Sequence, residues 1–145
     1  MIFRFVVRRL RWLARIPLLP QLFDALLLVI TAVTAPKKLR AIEVLEERAC
    51  RMFGAQRQVH RFGGVGFFVS GAELGHVHGN GLVDAFIGRA NRDRMLAEGK
   101  AQPHHVFPAS AWVSSWMNDE ADVDRVLALL RLAAERVQPR SKAED

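Results

Sequence analysis

With 145 residues, half of them apolar and a quarter charged, the chain has room for one folded domain and is too apolar to be disordered. A single cysteine, Cys50, excludes an internal disulfide and every zinc pattern built on several cysteines. The net charge of +6 invites a nucleic-acid partner, but residues 1–40 hold eight bases against one acid, Asp24, while the other thirteen bases meet fourteen acids, so no basic face is left to follow phosphates.

In "IFRFVVRRLRWLARI", Arg4, Arg8, Arg11 and Arg15 recur at spacings of 4, 3 and 4, which makes one stripe on a helix. Phe3, Val6, Val7, Leu10 and Leu13 lie off that stripe and Trp12 is an interface anchor, so the segment reads as a helix lying among lipid headgroups. "PLLPQLFDALLLVITAVTA" follows. From Leu18 to Ala35 it makes about 27 Å of helix, slightly short of a bilayer core of about 30 Å, with Pro20 and Asp24 near one end. Residues 1–36 therefore read as a basic amphipathic helix plus a hydrophobic anchor, either a marginal transmembrane span or a hairpin that dips into the bilayer. A signal cleaved after Val33-Thr34-Ala35, an Arg-rich targeting helix and a soluble helix pair are the alternatives. The N-terminal excess of arginine favours that end in the cytoplasm.

Residues 37–138 read as the folded domain and 139–145 as a polar tail. Leu39, Ile42, Leu45, Ala49 and Met52 recur at helical spacing until Gly54 stops the helix. "RQVHRF" and "GFFVS" form a hairpin about Gly63-Gly64, and "AELGHVH" and "LVDAFI" a second about Gly79-Asn80-Gly81. "RANRDRMLAEG" is a short helix ending at Gly99. "HHVF" and "AWVSSWM" are two further strands. Asn118 is the expected cap of a last helix whose apolar face is Val123, Val126, Leu127, Leu130, Ala133, Ala134 and Val137. The fold class is α+β: a mainly antiparallel sheet with packed helices, preceded by the membrane-associated helical segment.

The chain has five histidines. On a strand His76 and His78 face one way, with Leu74 on that face and Glu73 on the other unless a bulge intervenes. Asp84 follows the glycine turn on the partner strand. His104 and His105 come later, with side chains expected to diverge, and His60 is expected to face solvent. A polar cluster at a sheet end is the bland reading of this pattern. Two chemistries fit it. In one, His76, His78 and His105, with Asp84 or Glu73, hold zinc or iron. In the other no metal is present: one histidine takes a proton, another stabilises the resulting anion, and Trp112 supplies an aromatic wall. Cys50 reads as a small buried hydrophobe, Gly63–Gly66 as a turn rather than a phosphate loop, and Ser110, Ser114 and Ser115 lack the surroundings of a nucleophile elbow.

"ELGHVHGNG" with its following Asp, "RDRMLAEGKAQPHHVFPASAWVS" and "DEADVDRVLALLRLA" together resemble the luciferase-domain family, named for fungal luciferase and including small bacterial members of undefined activity. The likeness runs from Glu73 to Ala134. It carries over Glu73, His76, His78, His105 and Trp112, with Gly99 as the helix stop and His104 beside them. It implies O2 chemistry on an apolar enol or pyrone without an organic cofactor, with an N-terminal membrane anchor. The expected catalytic set is His76, His78, His105, Glu73 and Asp84. Trp112, His104, Phe86 and Phe107 are expected to line the substrate, with Val77 and Val106 helping to exclude water. A divalent metal is the second option, and a non-catalytic binding module for a small molecule is the third. The expected partners are an apolar small molecule, O2 and, through residues 1–36, membrane lipid.

Overall fold

The computed structural model describes residues 18–138; the arginine-striped segment 1–17 and the tail from 139 on lie outside the described residues. Two helices come first. Helix α1, Leu19–Thr34, ends where Pro36 bars the preceding residue from helical geometry, and α2, Pro36–Phe53, starts with that proline in its first turn. Gly54 closes α2 in the left-handed conformation at φ 63°. The sheet consists of β1 Gln56–Val59, β2 Val65–Val69, β3 Ala72–Val77, β4 Leu82–Phe86, β5 Gln102–Pro103 and β6 Trp112–Trp116, in the order β1-β2-β3-β4-β6-β5 with every pairing antiparallel. Helix α3, Arg89–Ala97, links β4 to β5, and α4, Val123–Val137, closes the domain.

Strand alternation divides the sheet into two faces. Phe67, Val77, Val83, Ala85 and Val113 point to the side that α2 and α4 cover, and join Leu45, Val126 and Leu130 in one core. Gly75 lies so close under α4 that a Cβ there would stand 2.9 Å from Leu130. A β-bulge decides what the opposite face carries. Opposite Phe67 and Phe68 stand Gly75 and Glu73, so Leu74 is the extra residue of β3. Leu74 therefore drops into the core, against the expectation that it shares a face with the histidines, and Glu73 rotates onto the face of His76.

The apolar stretch Leu18–Ala35 departs from a simple anchor. It forms a helix of 16 residues, and no helix among the described residues is long and apolar enough to cross a membrane. Asp24 and Thr31 are its buried residues, whereas Leu22 and Val33 are 65% and 79% exposed and Leu26 and Val29 share their outward side. The polar side faces the domain because it has partners there. Asp24 Oδ1 accepts from the Gly79 backbone N–H at 3.0 Å, and the Gln21 amide donates to the Arg61 carbonyl at 3.0 Å. Gly79 permits the approach, since a Cβ there would meet the α1 backbone at 2.7 Å.

Two further expectations change. Residues His104–Phe107 form no strand. The His104 side chain accepts at Nδ1 from the backbone N–H groups of Val106 and Phe107, at 3.1 and 3.0 Å, and so takes donors that a ladder would have used. Only Gln102–Pro103 pairs with β6 in that region. The last helix is capped from Asp119, which accepts from Ala121 N–H and opens a short 3₁₀ turn over Glu120–Asp122 before α4. Asn118 instead donates its backbone N–H to Asp122.

Candidate functional site

The register of three neighbouring strands builds the site. His76 pairs with Asp84 across β3 and β4, and Asp84 pairs with Ser114 across β4 and β6, so all three side chains leave the sheet on the face away from the core. His78 lies two residues beyond His76 and adds a second imidazole on that side. The loop after β5 brings His104 and His105 over them, and the turn after β1 brings His60. All five imidazoles of the chain meet here.

Asp84 is the centre, with no exposed surface. Its Oδ2 lies 3.3 Å from His76 Nε2, 3.3 Å from His78 Nε2, 3.4 Å from His105 Nδ1 and 3.7 Å from His104 Nε2. Its Oδ1 accepts a hydrogen bond from the Ser114 hydroxyl. A second layer holds the outer nitrogens. His76 Nδ1 is 2.8 Å from Glu73 Oε1, which also lies 3.3 Å from His60 Nε2, and the rings of His60 and His76 stack at 3.9 Å. His78 Nδ1 is 3.3 Å from Asp24 Oδ1. Trp112 lies 5.5 Å from the His76 ring and 5.2 Å from Phe86, which carries the Arg136 guanidinium on its face.

The charges follow from this wiring. Burial alone would lower the pKa of His78, but the carboxylates of Asp24 and Asp84 raise it to about 9. Burial acts the same way on His76, and hydrogen bonds to Asp84 and Glu73 carry it above its ordinary value. Burial would raise the two acids, but the surrounding imidazoles hold Asp84 well below the carboxylate range and Glu73 at about 2. His104 goes the other way: burial pushes it down to about 4, more than the nearby Asp84 charge restores. A neutral His104 that accepts at Nδ1 carries its hydrogen on Nε2, pointed inward. The set can hold a cation, since ligand atoms of His76, His78 and Asp84 all lie within 4.8 Å of one another, as do those of His60, Glu73 and His76 and of Asp84, His104 and His105.

The expected residues Glu73, His76, His78, Asp84, His104, His105 and Trp112 come together. His104 and His105 stack at 4.7 Å instead of diverging, because the turn they occupy lacks strand alternation. Phe86 borders the site through Trp112. Phe107 stacks on His104 but is 48% exposed, so it stands at the rim and not in a sealed wall. His60 is buried, not solvent-facing, because the turn after β1 folds beneath α1. Sequence reasoning missed Ser114 and Asp24 as members of the site. Ser114 shares a strand face with Trp112, and a lone acid within an apolar helix is itself a signal of function.

Residues 71–133 match the family model described as Luciferase domain. Neither the comparison with curated proteins nor the comparison with solved structures finds a match. The matched stretch holds Glu73, His76, His78, Asp84, His104, His105, Trp112 and Ser114, while Asp24 and His60 reach the site from outside it.

Proposed function

Starting from a chain that carries a luciferase domain over residues 71–133, we propose an enzyme that adds O2 to an apolar, enolisable small molecule at a lipid surface, without an organic cofactor. One observation carries this reading: four imidazoles gather around one fully buried carboxylate, and the fifth, His60, stacks behind them on His76. A neutral enol gives electrons to O2 slowly, so the site must favour the enolate. His76 and His78, held beside the Asp84 carboxylate, are the imidazoles that polarise an enolate or peroxide oxygen brought to this centre. His105, whose Nδ1 lies 3.4 Å from Asp84 Oδ2, is the imidazole assigned as the base. The enol proton passes to that imidazole, the enolate carbon bonds to O2 and two substrate electrons reduce it. The peroxide then recovers the proton, leaving a hydroperoxide and an unchanged site. Trp112 and Phe86 supply the apolar border.

The lipid surface is supported by α1, whose Asp24 reaches His78 while its apolar stripe faces outward. The family resemblance points to hydroxylated pyrones as substrates. The test is O2 uptake by the full chain in phospholipid vesicles given 4-hydroxy-2-pyrones with apolar substituents. Uptake is expected, with a loss of at least about 100-fold in a folded His76→Ala variant. Undiminished uptake in that variant rejects the proposed site. Saturable pyrone binding without uptake assigns the domain to non-catalytic binding instead.

A further inference from the structure

We propose that His76, His78 and Asp84 are the three protein ligands of a divalent first-row metal ion, and that the ion is iron(II). The binding claim stands on geometry alone; only the choice of iron rests on the O2 chemistry proposed above.

His76 Nε2 and His78 Nε2 each lie 3.3 Å from the same oxygen, Asp84 Oδ2. A charge-assisted N–H···O bond is shorter, about 2.7–2.9 Å. One carboxylate oxygen also has too few lone pairs for the four imidazole nitrogens that face it. The spacing does fit the edge of a coordination shell. Metal–ligand bonds of about 2.1 Å place neighbouring ligand atoms about 3.0 Å apart in an octahedron and about 3.4 Å apart in a tetrahedron.

Each proposed ligand is also held from behind. His76 Nδ1 meets Glu73 at 2.8 Å, His78 Nδ1 meets Asp24 at 3.3 Å, and Asp84 Oδ1 accepts from Ser114. A carboxylate on the outer nitrogen of an imidazole fixes the tautomer, so that the inner nitrogen offers its lone pair, and this is the usual second layer of a metal site. His104 is excluded as a ligand by the same logic. Its Nδ1 accepts two backbone N–H groups, so its Nε2 carries a hydrogen. It is an inward-facing donor beside the centre.

Two imidazoles and one carboxylate on one face of an ion leave further positions open, the donor set with which non-haem iron(II) enzymes use O2. What the ion adds is Lewis acidity beside the enol oxygen and a place for O2 to approach. Zinc accepts the same donors, so the identity of the ion belongs to the test.

The full chain, purified without a histidine tag from iron-replete cells, is analysed for metals. It is then stripped and titrated anaerobically with Fe2+ and, separately, Zn2+. One iron per chain is expected, with an electron-spin signal of the iron–nitrosyl type on adding nitric oxide. His78→Gln and Asp84→Asn are expected to lose Fe2+ affinity by more than about 100-fold while keeping their circular dichroism. His104→Gln is expected to keep wild-type stoichiometry. Wild-type protein that binds neither ion overturns the proposal, as does Fe2+ affinity unchanged in folded Asp84→Asn and His78→Gln. Zinc bound in preference, with no nitrosyl signal, overturns the choice of iron. Pyrone-dependent O2 uptake by metal-free protein overturns the choice of iron and keeps the activity, whereas bound iron without uptake keeps the ion and removes the activity.

Discussion

At the scale of single residues, Asp84 shows how one carboxylate organises an interior. It is fully buried between strands, and its charge is balanced by imidazoles rather than by Lys or Arg. Such a group is costly unless every lone pair is used. Ser114 takes one oxygen and the imidazoles surround the other. The second layer is uneven in origin. Glu73 comes from the same strand as His76, whereas Asp24 reaches His78 from a helix more than fifty residues earlier. That difference makes Asp24 the informative residue to change. Asp24→Asn keeps an oxygen for Gly79 N–H but removes the charge that orients His78. The expected outcome is about 10- to 100-fold weaker metal binding and lower turnover with an unchanged circular dichroism spectrum. Metal titration and O2 uptake measured on the same preparation check it, and Asp24→Glu is expected to restore part of the loss.

At the scale of elements, the second hairpin and α1 act as one assembly. The Gly79-Asn80-Gly81 turn has the hydrogen bonds of a tight hairpin, with His78 N–H on Leu82 O at 2.8 Å and Leu82 N–H on the Asn80 side chain at 3.1 Å. Its first glycine has a second task, to let α1 lie against the backbone. A methyl group at Gly79 pushes directly on α1 main chain, which cannot yield as a flexible side chain does. Gly79→Ala is expected to cost about 1–3 kcal/mol and to loosen α1 in preference to the sheet. Hydrogen exchange checks this: faster exchange over residues 19–34, with β2–β4 and α4 still protected, is the expected pattern. Uniform destabilisation of every element would show that α1 and the sheet open together. The elements themselves were largely legible. Alternating apolar residues announced β2, β3, β4 and β6, and the apolar face of α4 was plain from its 3.6-residue period. The "HHVF" strand was misread because apolar alternation does not reveal that a histidine ring will claim the backbone donors of Val106 and Phe107.

At the scale of the whole molecule, the helices on the two sides of the sheet follow opposite rules. Helices α2 and α4 bury apolar faces in the core, while α1 buries Asp24 and Thr31 and turns Leu22, Leu26, Val29 and Val33 outward. An outward apolar stripe from Leu22 to Val33 suits a helix lying flat in a lipid surface, with Asp24 on its inner side against His78. Replacing Leu22, Leu26, Val29 and Val33 together by serine is expected to reduce partition into anionic phospholipid vesicles by at least about 100-fold, since each side chain contributes roughly 1.5–3 kcal/mol when fully buried. Co-sedimentation with vesicles measures it, and a variant that partitions as well as the parent removes α1 from the lipid surface. The sequence by itself determined the α+β class, the strands that carry His76, His78, Asp84 and Trp112, and the luciferase-domain likeness, because periodicity and local motifs depend on neighbours along the chain. Only the tertiary structure decided that Glu73 joins His76, that His60 and Asp24 enter the site, and that α1 shows its apolar side outward. A bulge, a turn folded beneath a helix and the docking of α1 on Gly79 each depend on partners distant in sequence, and no local period records them.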